Sequence, residues 1–338
     1  MSRVGRTTLL VVAGMLVVFV FATYAMLSTL DRQFRPECLD VVADAPRAKF
    51  AHIAEEAGED GIATIRYDLF PTLPVTMRPQ RIVSTLPGIT EMVAHLGAAD
   101  RLVGVSPWCD MPAGAVNPAR ITVQPFDPEA MLAAKPDLVI IDRRLHRRDL
   151  AVIRKRAPYV LMLETSRSLP ELVHSMKLLA DVLGGAQAQA AAAAFRTRYE
   201  GLLAGIDPVW EDGPPRVLVL GGWDPLYAMG RGSLLDDLLR ICGCSNVACD
   251  LRTDASGPFS EELILARRPA WILVTSPEPM PARLQARWKN LPAVRDGQVA
   301  PAWADDVVRG GPRILDALER LHAVLRASKP PAYLGAMK

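Results

Sequence analysis

The segment from Phe126 to Ile140 recurs between Phe259 and Leu273 at a constant offset of 133 positions. Phe126, Glu129, Leu132, Ala133 and Pro136 are matched by Phe259, Glu262, Leu265, Ala266 and Pro269, with Lys135 against Arg268 and Val139-Ile140 against Ile272-Leu273. Five identities in register exceed what chance supplies, and a period this long is domain-sized rather than solenoid-sized. The chain has 338 residues, room for about two domains and an accessory segment. Two units of similar topology are the economical reading.

Around the repeat, short apolar strands alternate with helices. Ile82-Val83-Ser84 reads as a strand, Thr90 to Leu96 as a helix closed by Gly97, and Leu102 to Val105 as a second strand. A helix from Pro128 to Lys135 follows, then a strand at Leu138 to Ile141, a helix from Leu150 to Arg156 and a strand from Tyr159 to Leu163. Such strands, buried on both faces, predict a parallel α/β sheet. Ser168-Leu169-Pro170-Glu171 starts a helix with a capping hydroxyl, an early proline and a first-turn acid. That helix runs to Leu183 and breaks at Gly184-Gly185; a longer one, seeded by the alanines from Ala186, continues to about Leu203 and spans about 27–30 Å. Arg216 to Leu220 begins the second strand-helix series. The expected class is α/β, with two lobes of mostly parallel sheet joined by one rigid backbone helix.

The N-terminus adds a different element. Thr7 to Leu30 holds 24 residues without Asp, Glu, Lys, Arg or His, enough to span a bilayer core of about 20 residues. Arg3 and Arg6 precede it, which places the remainder outside the cytoplasm. A retained transmembrane anchor fits better than a cleaved leader, whose cleavage site would be Thr23-Tyr24-Ala25. Cys38 follows Arg35-Pro36-Glu37, not the small and apolar residues of a lipoprotein signal. The expected divisions are 1–31 anchor or signal, 32–80 stalk and short hairpin (with a strand at Ile62 to Tyr67), 81–167 N-terminal lobe, 168–207 helical linker, 208–326 C-terminal lobe and 327–338 tail.

Charge and motifs exclude several functions. The 39 Lys and Arg nearly balance 37 Asp and Glu, leaving no excess of positive charge for a nucleic-acid partner. Of the five cysteines, Cys242-Gly243-Cys244 with Cys249 lacks the two-to-four-residue ligand spacing of a metal site and has no nearby His; buried thiols or one short disulfide are expected, and no metal. No Gly-x-Ser-x-Gly, His-Glu-x-x-His or phosphate loop occurs, so no catalytic residue is assigned. An extracytoplasmic enzyme or a sensory scaffold on the same architecture is the reading from another class.

In this order, Arg81 to Glu91, Val103-Gly104-Val105-Ser106 leading to Cys109-Asp110-Met111-Pro112, the paired Glu129 and Glu262 segments, and Gly311-Pro312-Arg313 resemble the solute-binding proteins of ABC importers for cobalamin, ferric siderophores and haem. The resemblance covers roughly Arg81 to Leu325. It implies a non-enzymatic binding protein that captures a metal-containing small molecule as cargo, holds no cofactor of its own, and delivers to a permease dimer with ATPase subunits. It implies further that Glu129 and Glu262 meet permease arginines. The Cys-Asp-x-Pro element resembles the cobalamin branch most; ferric siderophore and haem are the alternatives. The ligand is expected where strand carboxyl ends face each other. Trp108, Phe126, Trp223, Tyr227 and Trp303 fall directly after expected strands, and Arg143 and Arg309 are placed to hold a phosphate, carboxylate or amide oxygen. Thr90 and Glu91 are given a structural role.

Overall fold

Both halves of the chain alternate short apolar strands with short helices, as the pattern requires. The computed structural model describes residues 69–70, 78–110, 117–123, 126–142, 149–251, 256–302 and 304–327, all within the unit formed by residues 52–338. The first half comprises β1 (Leu69–Phe70), β2 (Ile82–Ser84), α1 (Pro87–His95), β3 (Leu102–Val105), β4 (Ala119–Arg120), α2 (Pro128–Ala133), β5 (Leu138–Asp142), α3 (Leu150–Arg154) and β6 (Tyr159–Leu163). Two helices follow, α4 (Leu169–Leu183) and α5 (Ala186–Gly205). The second half comprises β7 (Arg216–Trp223), β8 (Leu226–Met229), α6 (Leu234–Ile241), β9 (Ser245–Asn246), β10 (Ser256–Pro258), α7 (Glu261–Arg267), β11 (Trp271–Val274), α8 (Ala282–Arg287), α9 (Pro292–Arg295), β12 (Val299–Pro301), α10 (Ala304–Val307) and α11 (Ile314–Arg326).

The repeat is visible in the sheets. The first is ordered β1-β6-β5-β2-β3-β4, and the run β6-β5-β2-β3-β4 is parallel throughout. In the second, β12, β11, β7 and β9 pair in parallel in the corresponding order. On the side of β7 away from β11, β9 pairs with its start and β8 pairs antiparallel with its end, and β10 pairs antiparallel with β8. Leu138 and Trp271, the first residues of β5 and β11, are 133 apart. The helices before them both end on a basic residue in the left-handed region, Lys135 at φ 48° and Arg268 at φ 45°, each followed by proline.

Alternation of side chains across each sheet divides the core. Leu138 and Ile140 of β5, Val217 and Val219 of β7, and Trp271 and Leu273 of β11 all enter one central cluster. The same cluster takes in Leu172 and Leu179 of α4, the stripe Ala188, Ala192, Phe195 and Tyr199 of α5, and Leu318 and Leu321 of α11. The two sheets therefore share one core, built through the connecting helices. The opposite faces have separate cores: Val83, Met131, Val139 and Ile141 in the first half, and Leu218, Leu220, Trp223, Ile264 and Trp288 in the second.

Local chemistry fixes the helix starts. Pro87 opens α1 three residues before the expected start at Thr90, because its fixed φ suits the first helical position. Ser168 Oγ caps α4 by accepting from Glu171 N at 3.3 Å, and its hydroxyl donates to the Glu171 carboxylate at 3.1 Å. The run Thr7–Leu30, the expected strand at 62–67 and the tail from 328 lie outside the described residues. Among the described residues no helix is long and apolar enough to cross a membrane.

Candidate functional site

The carboxyl ends of β2, β3 and β5 carry Ser84-Thr85, Ser106 to Asp110, and Asp142. A buried polar cluster shapes this end. The Thr90 hydroxyl donates to Ser84 Oγ at 2.8 Å, and the Cys109 thiol lies 3.1 Å from Thr90 Oγ1 and 3.0 Å from Ser106 Oγ. Arg120 donates to the carbonyls of Ser106, at 3.2 Å, and Cys109, at 2.5 Å. The turn from Ser106 to Cys109 is thus held from beneath. Trp108 at its tip is 53% exposed.

Asp110, next in the chain, reaches across to the second half. Arg309 pairs with Asp110 and lies 3.6 Å from Glu91 of α1. Arg313 forks onto both oxygens of Glu91, at 3.1 and 2.7 Å, and pairs with Asp306 at 3.1 Å; Arg320 also binds Asp306. Two-pronged guanidinium–carboxylate contacts of this kind fix orientation as well as charge. The backbones approach equally closely. A Cβ on Gly88 would stand 1.9 Å from the carbonyl oxygen of Arg309, and one on Gly310, at φ 60°, 2.2 Å from that of Thr165.

A second junction lies at the start of α4. Asp237 of α6 accepts from Leu169 N at 2.8 Å, and Leu234 N donates to Ser166 O at 3.1 Å. Burial raises the Asp237 carboxyl above its ordinary value, and Arg240 beside it opposes the rise.

Comparison with known proteins adds to this geometry. Residues 82–302 match the family model described as periplasmic binding protein. The chain belongs to that family. It is 28% identical over 257 residues to the vitamin B12-binding protein of Pectobacterium atrosepticum, covering 74% of this chain and 90% of that one. An uncharacterized ABC transporter substrate-binding lipoprotein, YvrC of Bacillus subtilis, is 23% identical over 73% of this chain and 80% of its own length. Among solved structures, the periplasmic vitamin B12 binding protein BtuF of Vibrio cholerae superposes with a TM-score of 0.63 at 26% identity, over 74% of this chain and 98% of its own.

In this member of the periplasmic binding protein family the expected site residues are placed differently from one another. Trp108 and Tyr227 are exposed, Tyr227 at 39% on β8. Phe126 is half-buried against the first outer core and precedes the cap of α2. Arg309 stands at the junction of the halves, but its guanidinium is engaged by Asp110 and Glu91. Arg143 and Trp303 lie outside the described residues.

Trp223 requires correction. It is 4% exposed, its Nε1 donates to Glu278 O at 2.8 Å, and its ring packs on Trp288 at 6.4 Å between centroids. The expected strand stopped at Leu220, whereas β7 continues to Trp223 and turns through Asp224-Pro225 into β8, which places Trp223 inside the sheet. Phe259 is likewise buried, beneath the Arg267 guanidinium. Cys242 and Cys244 are free buried thiols, and burial pushes Cys242 up to about 12. Glu91 does more than start a helix, since two arginines from the second half converge on it. Its partners stand more than 200 residues away, so no local pattern announced them.

Glu129 and Glu262 occupy equivalent exposed places. Asp127 accepts from Glu129 N and Ala130 N, both at 3.0 Å, and Ser260 Oγ accepts from Leu263 N at 3.3 Å. Hydrogen bonds from its own N–H and from Ser260 hold the Glu262 carboxyl below its ordinary value.

Proposed function

We propose that this chain is a membrane-tethered, extracytoplasmic receptor that takes up cobalamin or a related corrinoid between residues 81–167 and 208–326 and hands it to an ABC importer. The observation that carries the reading is Trp108, an exposed ring on a pinned turn next to the Asp110–Arg309 contact between the halves. A flat rigid face at such a crevice gives a large macrocycle contact area at little rotamer cost. The vitamin B12-binding names of the relatives at 26–28% identity support the same ligand class. Tyr227, Phe126, Arg143, Trp303 and Arg309 complete the proposed contacts. Arg309 would exchange part of its carboxylate pairing for a ligand phosphate or amide oxygen.

The run Thr7–Leu30 supplies the tether, and Glu129 and Glu262, one from each half, supply docking points for the two subunits of a permease. Residues 168–207 form the linker in this reading. The core shared through α4, α5 and α11 limits how far the halves separate, so capture relies on local adjustment at the crevice.

Titrating the purified chain with cobalamin, a ferric hydroxamate and haem, followed by tryptophan fluorescence, tests the proposal. Saturable quenching by cobalamin is expected, with Trp108→Phe losing most of the signal and at least tenfold in affinity while Trp223→Phe retains both. A response to haem or the hydroxamate with none to cobalamin would replace the ligand, and no response to any would remove the receptor reading.

A further inference from the structure

The short helices α2 and α7 each send one fully buried side chain into an outer core, Met131 and Ile264. Their opposite faces carry Glu129 with Leu132, and Glu262 with Leu265. A separation of three residues puts carboxylate and leucine on one side of a helical turn. Leu132 is 42% exposed and Leu265 39%, and Leu263 of α7 is 37% exposed. One exposed leucine on a surface needs no explanation. Here the same side chain stays exposed at the same place in both copies of a 133-residue repeat, beside the same acid, although the caps (Asp127, Ser260) and the buried residues (Met131, Ile264) differ.

We propose that Leu132 and Leu265 are the apolar half of each docking contact: each inserts into a hollow beside the cation that receives Glu129 or Glu262, on the two equivalent subunits of the permease dimer. This rests on the docking reading given above and extends it. The physical need is clear. An ion pair between exposed side chains contributes little and is screened by salt, so two carboxylates alone would give a weak, salt-sensitive encounter. A leucine seated beside each pair excludes water and supplies attraction that salt does not screen. Duplication of the patch identifies the occupant as a partner presenting the same site twice.

The test compares three pairs of substitutions in the full chain, measuring binding to the permease–ATPase complex in lipid nanodiscs at low and high salt, with ligand affinity and melting temperature as controls. Leu132→Gln with Leu265→Gln should weaken docking about tenfold or more at every salt concentration, with both controls unchanged. Leu132→Met with Leu265→Met should stay within about twofold of the parent. Glu129→Gln with Glu262→Gln should weaken docking and flatten its salt dependence. Parental docking by the glutamine-for-leucine pair, while the glutamate pair loses it, would overturn this inference and leave the docking reading standing. Parental docking by both pairs would overturn both.

Discussion

On the outer face of the first sheet, Val139, Ile141, Met131 and Ile153 close the core with aliphatic side chains and one methionine, whereas the corresponding face of the second is closed by Trp223 and Trp288. The strands beneath are the same in order and direction, and the helices α2 and α7 stand at the same offset. What differs is the polar provision. Each buried indole needs a partner for its N–H, and the second half supplies Glu278 O for Trp223 and a Glu261 carboxylate oxygen at 2.9 Å for Trp288. The first half instead leaves its tryptophan, Trp108, exposed on a turn. One scaffold thus buries two tryptophan rings, Trp223 and Trp288, in the second half and leaves the Trp108 ring open to solvent in the first.

The largest effect should come from emptying the aromatic core. Trp288→Ala should cost about 4 kcal/mol, against about 3 kcal/mol for Met131→Ala in the aliphatic one. Urea unfolding of the two variants measures the difference, and equal losses would break the contrast. A smaller change is expected where the halves meet. Gly88→Ala forces a methyl group into the Arg309 carbonyl and should cost about 2 kcal/mol as overpacking. Its melting temperature checks this, and a value unchanged from the parent would show that the junction gives way freely. The smallest effect should come from relieving the left-handed residues. Replacing Lys135 or Arg268 by glycine removes a strain of about 1–2 kcal/mol but adds about 0.5–1 kcal/mol of unfolded-chain entropy. Each variant should gain about 0.5 kcal/mol, and a gain at only one position would show that the repeat differs there in more than sequence.

Much of this architecture is legible in the chain because its determinants are local. The strand Tyr159–Leu163 and the helix Leu169–Leu183 coincide with expectation to the residue, since five apolar residues in a row and a serine cap leave little choice. The C-terminal ends of α2 and α3 come two residues early, and after α2 the chain leaves the helix through the left-handed Lys135. The β7–β8 hairpin and its neighbour β10 carry no local signal, since Gly221-Gly222 masks the continuation of β7 and β8 is held by pairing with β7 and with the distant Ser256–Pro258. At the candidate site, a place after a strand is legible for both Trp108 and Trp223, but only the fold separates them, leaving the first exposed and burying the second. The ion pairs joining Glu91 and Asp110 to Arg309 and Arg313 depend wholly on the approach of distant segments.

The shared core around α5 has a consequence for any partner that reads both halves. With two contact points on one folded body, forming the first delivers the second at an effective concentration set by a nearly fixed span rather than by a flexible linker. Each contact can then be weak and fast to release while the pair holds firmly, and an altered spacing between the partner's two sites suffices to let the chain go.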